Sequence, residues 1–135
     1  MKHIREQGYP SPLIITRDTK YKNLFFDGTE MARQIINAQR MPDGVFAACD
    51  LLAIALLQEV LRAGIRVPQD MAIMGCDNTE ICLYTSPTLS SIDFNIPLLA
   101  GKMMEQMIRI IKNDVLEPVH VTMPVKLIVR ESTKK

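Results

Sequence analysis

Three apolar runs of four or five residues, each closed by polar or turn residues, constrain this chain more than any other feature. They are Pro12 to Thr16, Val45 to Ala48 and Met71 to Met74. Each is too short for a helix and shows no polar alternation, which is the pattern of strands buried on both faces. Helical spacing fills the gaps between them. Met31, Ile35 and Ile36 mark a helix from about Gly28 to Gln39, and a second runs from Leu51 to Ala63, closed by Gly64. Strand, helix, strand, helix, strand predicts an α/β fold: a parallel sheet with helices on both faces and right-handed crossovers.

The remaining segments are read more coarsely. Met1 to Gln7 looks like a helix end stopped by Gly8, and Leu24-Phe25-Phe26 leads from a polar loop into the first full helix. Beyond Asp77 a loop rich in Thr, Ser and Pro reaches about Thr88, and Leu89 to Ile92 is a short strand. Pro97 suits the first turn of a helix reaching about Lys112. Val119 to Met123 and Lys126 to Val129 are expected as late strands.

Composition narrows the function. With 135 residues, 47% hydrophobic and 23% charged, the chain has the size and make-up of one globular domain. A net charge of +1, with Lys and Arg scattered among acids, lacks the basic stripe of a free-standing DNA-binding domain. The longest apolar run, Leu51 to Leu57, falls far short of the ~18 residues of a membrane span, and charged residues stand where a signal peptide would be apolar. Cys49, Cys76 and Cys82 form no C-x-x-C pair, and His3 and His120 lie far from them in sequence, so no zinc site is expected. An odd cysteine count points to a reducing compartment, and the expected location is cytoplasmic.

In an open parallel sheet, ligands bind beyond the carboxyl ends of the strands. Three such ends carry Arg17 and Asp18, Cys49 and Asp50, and Cys76 and Asp77. Carboxylates and guanidinium at one edge suit a hydroxyl-rich ligand such as a sugar. Asp50 has a simpler role as the cap of its helix, whereas Asp77 precedes no clear helix and needs another one. Arg17 and Asp18 also fit a surface loop. Tyr21 could stack on a ligand; Phe25 and Phe26 fit core packing better. Cys49 and Cys76 end successive strands and are expected to be inert thiols.

Two helices carry more apolar surface than one sheet face requires. In the first, Ile54, Leu57 and Leu61 form one stripe, and Leu52, Leu56 and Val60 another; in the second the rows are Leu99, Met103, Met107 and Met104, Ile108, Ile111. For each helix the surplus is either wide core packing or a subunit interface.

Several segments stand out together: Pro42-Asp43-Gly44-Val45-Phe46-Ala47-Ala48-Cys49-Asp50-Leu51-Leu52-Ala53, Ala63-Gly64-Ile65-Arg66-Val67-Pro68-Gln69-Asp70 followed by Met71-Ala72-Ile73-Met74-Gly75-Cys76-Asp77-Asn78, Ser86-Pro87-Thr88-Leu89-Ser90-Ser91-Ile92, and Val129-Arg130-Glu131-Ser132-Thr133. In this order they resemble the LacI/GalR family of transcription regulators, and the resemblance covers nearly the whole chain. It implies a periplasmic-binding-protein-like (type I) C-terminal lobe, incomplete at its start. Residues 1–94 and 113–133 would form that lobe, and residues 95–112 a helix packing with a first lobe that, with the DNA-binding head, would precede Met1. The resemblance also implies roles. Asp77 stands at the family's acidic effector contact. Cys49 stands where Asn is usual, and a thiol is a poor hydrogen-bond partner, which counts against an ordinary sugar effector. Asn78 replaces a frequent Asp. Ile54, Leu57 and Tyr84 fall at family dimer contacts, and Leu61 extends their stripe.

The expected function is therefore effector sensing and dimerisation within a LacI-family regulator. The partners would be a sugar or nucleoside effector, a second copy, and DNA only through a head domain outside this chain. No membrane partner and no cofactor are implied. A solute-binding protein of the same fold and a ligand-blind dimerisation fragment are the rivals. An enzyme using Asp50 and Asp77 as an acid/base pair finds no nucleophile, metal set or phosphate loop in support.

Overall fold

A computed structural model describes residues 6–8, 12–16, 23–112 and 120–134. Helix α1 spans Leu24–Ile36, a turn earlier than the apolar spacing predicts. Asn23 explains the shift: it sits in extended backbone, and its side-chain oxygen accepts from the amides of Phe25 (2.9 Å) and Phe26 (3.4 Å). That is an N-cap, with Asp27 adding a carboxylate at the positive end of the helix dipole. Strand β1 is Gly44–Phe46, helix α2 Asp50–Arg62, and strand β2 Ala72–Cys76. A short 3-10 turn, Glu80–Leu83, leads to β3 at Ser90–Asp93; α3 follows at Ile96–Ile111 and β4 at Lys126–Ile128.

The sheet has the order β1-β2-β3-β4. β1, β2 and β3 run parallel, and β4 joins β3 antiparallel with Ile92 opposite Leu127, so the sheet is mixed. Helix α2 packs on β2, and α1 packs on α2. Gly28 makes the helix crossing possible: a Cβ there would meet Ala55 Cβ at 2.7 Å and the Leu52 carbonyl at 3.0 Å. The core holds Ile54, Leu56, Leu57 and Val60 of α2 with Ala32, Ile35, Met71, Ile73 and Leu89. Each large side chain there contributes about 1.5–3 kcal/mol over exposure. Both stripes of α2 are thus mainly core, and Ile54 and Leu57, expected at a subunit interface, are 3% and 1% exposed. The α1–α2 crossing explains this, because it covers a face that a lone sheet-bound helix would leave open.

Two expected strands are absent among the described residues. Pro12 to Thr16 makes no ladder; Leu13 and Ile14 are exposed, and only Ile15 packs against the core. An apolar run becomes a strand only where a neighbouring strand completes its ladder, and none of the four strands of the sheet pairs with this one. His120 to Val125 is likewise irregular, while residue 119, and residues 1–5 of the helix end expected at Met1 to Gln7, lie outside the described residues. Gly8, with φ +77, has the left-handed backbone expected of it. α3 is the helix expected at residues 98–112, but none of its residues is buried.

Ser132 closes the amino ends of β2 and β3 with polar groups. Ser132 accepts at its carbonyl from Ile73 N (3.0 Å), its hydroxyl donates to the Ile73 carbonyl (2.6 Å), and the same oxygen accepts from Ser90 N (2.8 Å). Ser90, Ser91 and Ser132 are all fully buried. A buried hydroxyl is tolerated when its hydrogen bonds are made, and here they are.

Candidate functional site

The carboxyl ends of β1, β2 and β3 lie along one edge of the sheet. After β1 the chain continues through Cys49, extended at φ −151 and ψ 161 and half-buried, into α2. Asp50 is the first residue of that helix, and its cap reading is corrected: no side-chain cap bond forms there. Its carboxylate points across the edge instead. Oδ2 accepts from Thr79 N (2.7 Å) and Thr79 Oγ1 (2.8 Å), and Oδ1 accepts from the Ser91 hydroxyl (2.6 Å). At 1% exposure, Asp50 ties the loop after β2 to β3. Gly75 lets it come so close, since a Cβ there would lie 3.1 Å from Asp50 Cα and 3.2 Å from Ala53 Cβ.

β2 ends at buried Cys76, and the next two residues are left-handed without being glycine: Asp77 at φ 111 and Asn78 at φ 52. Each such residue costs about 1–3 kcal/mol and persists only where the surroundings over-determine it. Here they do. Asp77 N donates to the Ile92 carbonyl (2.9 Å), Asn78 N to Ser91 Oγ (3.0 Å), and Thr79 N to Asp50. The outcome is an exposed Asp77 whose carboxylate makes no hydrogen bond to another described residue. Partial burial, and then the charge of Asp50, hold its pKa above the ordinary value. Burial, followed by the Asp77 and Asp50 charges, also pushes the Cys76 thiol up. Cys82 rises to about 11, chiefly through burial.

Cys49, Asp50 and Asp77 are thus gathered at one edge, with Asp50 turned into the protein and Asp77 outward. Arg17, Asp18 and Tyr21 lie outside the described residues. Phe25 packs on the core, and Phe26 is 44% exposed. Leu61 and Tyr84 are on the surface, at 38% and 75% exposure. Among the described residues, no group of His, Cys, Asp and Glu could hold a metal ion, and no helix is long and apolar enough to cross a membrane.

Sequence reasoning missed Thr79, Ser91, Asp93 and Arg130. One signal was available. The pair Ser90-Ser91 stands between Leu89 and Ile92 in a short segment expected as a strand, and polar residues at interior strand positions need partners.

A parallel-stranded α/β lobe with an acidic group presented at its carboxyl edge is the architecture of a ligand-binding domain. The chain belongs to the family described as periplasmic binding protein-like domain, whose model matches residues 2–133. It is 29% identical over 135 residues to the HTH-type transcriptional regulator CelR of Thermobifida fusca, covering 95% of this chain and 40% of that protein. A solved structure of the transcriptional regulator CelR in complex with cellobiose superimposes with a TM-score of 0.84 at 27% identity, over 97% of this chain and 39% of the other. A putative LacI-family regulator from Sanguibacter keddieii gives 0.79 at 30% identity, over 99% of this chain and 51% of that one. The relatives are LacI-family transcription regulators, and this chain spans about half their length or less.

Proposed function

We propose that this chain is the effector-sensing and dimerising portion of a cytoplasmic LacI-family transcription regulator, with no enzymatic activity, and that its effector is sugar-like. The observation that carries the reading is Asp77. Its carboxylate is held outward at the ligand-binding edge of the sheet by a left-handed turn whose three successive amides are all engaged. A carboxylate offers only acceptors, which suits the O–H donors of a saccharide or of a nucleoside's ribose. The cellobiose complex of a similar regulator supports a saccharide. Asp50 belongs to the same edge as its support rather than as a ligand contact. Cys49 narrows the ligand, since its thiol offers only a weak donor beside Asp77. Arg17, Asp18 and Tyr21, candidates from the sequence alone, complete the proposed contact set.

The exposed apolar rows of α3 pack, in this reading, with a first lobe outside this chain. Leu61 and Tyr84 are the surface members of the proposed subunit contact. DNA is reached only through a head domain outside this chain. With part of the pocket absent, affinity for a saccharide should fall in the millimolar range, roughly 4 kcal/mol of binding free energy. Thermal unfolding of the chain with cellobiose, ribose or adenosine tests the reading. One of these should raise the midpoint for wild type and leave Asp77→Ala unmoved. Equal responses from both proteins would remove Asp77 from the site.

A further inference from the structure

The turn that presents Asp77 shares its anchor with a second left-handed turn. Asn78 is gripped at both ends of its side chain: Oδ1 accepts from Arg130 NH2 (2.7 Å), and Nδ2 donates to Asp93 Oδ2 (3.3 Å). Arg130 is itself fixed, since NH1 donates to the Leu89 carbonyl (2.7 Å) and its backbone amide donates to Ser90 Oγ (2.7 Å). The other oxygen of Asp93, Oδ1, accepts from the amide of Asn95 (2.7 Å). Asn95 is left-handed at φ 51 and immediately precedes α3, a helix with no buried residue. One carboxylate therefore braces both the turn after β2 and the turn that launches α3.

We propose that Arg130, Asn78 and Asp93 are positioning residues forming a relay, in which Asp93 couples the ligand-facing Asp77 turn to the start of α3. A left-handed, non-glycine residue needs its surroundings to hold it. Loosening either turn withdraws a partner from the shared carboxylate and weakens the hold on the other. Because α3 is not clamped by burial, its launch angle depends on this brace. Ligand engagement at Asp77, a contact that rests on the function proposed above, would then be transmitted to α3 as a bias between two arrangements of the Asn95 turn.

Amide hydrogen exchange, followed residue by residue by NMR on the full chain, tests the relay without a ligand. Asn78→Ala should speed exchange at Asn95, with which Asn78 shares no bond, by about tenfold, and leave Val60 in α2 unchanged. Asp93→Ala should do the same at both Asn78 and Asn95. Asp93→Asn, which keeps the shape but offers one carbonyl oxygen, should restore protection at one turn and not both. An Asn95 rate in Asn78→Ala within about twofold of wild type overturns the relay; should Asn78→Ala fail to fold, the Asp93→Asn pattern decides. Cellobiose, ribose or adenosine supplies the second arm. A probe that shifts the Asp77 amide should also shift Asn95 in wild type and lose that remote shift in Asp93→Asn. A shift at Asp77 without one at Asn95 contradicts the relay. If no probe shifts Asp77, the effector reading fails, and the exchange data alone decide the relay.

Discussion

Replacing Asp50 with Ala should be among the most damaging single changes at the sheet edge. The carboxylate is 1% exposed and accepts hydrogen bonds at 2.6, 2.7 and 2.8 Å. Hydrogen bonds to a charged group contribute about 1.5–3 kcal/mol each, and the cost of burying the charge offsets several kcal/mol of that sum. Truncation leaves the fully buried Ser91 hydroxyl and the Thr79 amide without their acceptor, and opens a space beside Gly75. The net loss should be about 3–5 kcal/mol, a large fraction of a small domain's stability. Asp50→Asn keeps the shape and one acceptor oxygen but turns an NH2 toward a donor, so its cost should be smaller, about 1–3 kcal/mol. In the double variant with Ser91→Ala, the penalties should fall short of additivity, because one orphaned donor is gone. Urea unfolding followed by circular dichroism measures all three. A cost below about 1 kcal/mol for Asp50→Ala, with unchanged urea dependence, would refute the claim that this network holds the edge together.

Four further outcomes follow from the same geometry. Gly75→Ala should lose about 1–3 kcal/mol in the same unfolding assay, since the added Cβ meets the Asp50 carboxylate, which three hydrogen bonds hold in place, and lies 3.1 Å from Asp50 Cα. Asp77 has its folded pKa raised, so the folded chain holds that proton more tightly than the unfolded one. Its contribution favours the fold below the unfolded value near about pH 4 and is lost as pH rises through the folded value; Asp77→Asn should flatten this part of a stability–pH curve. With a thiol reagent at mildly alkaline pH, Cys49 should react first, while Cys82, at about 11, and Cys76, also raised, wait for unfolding. Light scattering should report a dimer that Tyr84→Glu, at a 75% exposed position, converts to monomer; wild-type monomer at all concentrations contradicts the proposed contact.

The elements most legible in the sequence were those whose local signal and tertiary environment agree. Val45 to Ala48 and Met71 to Met74 lie within a residue or two of β1 and β2, because each is a short apolar run that finds a neighbouring strand to complete its ladder. Pro12 to Thr16 carries the same local signal without a ladder, since pairing depends on a neighbour that no local pattern reveals. Asn23 was a readable N-cap, hidden by Gly28, which looks like a helix start but is a packing contact with α2. Asp50 shows the limit of local reasoning at the site. A carboxylate at a helix start is expected to cap, yet its partners lie 29 and 41 residues away. Asp77 was legible as a strand-end acid with no helix to cap. The left-handed turn that aims it was not, because Asp77 and Asn78 adopt that backbone only under long-range constraint.

The most direct test of the central claim is a titration of isotopically labelled chain with cellobiose, ribose and adenosine, read by NMR. The account predicts saturable amide shifts from one of them, concentrated at Cys49, Cys76, Asp77 and Asn78 and absent in Asp77→Ala. Shifts that cluster elsewhere on the chain, or that persist in Asp77→Ala, would contradict the assignment of this sheet edge as the effector site.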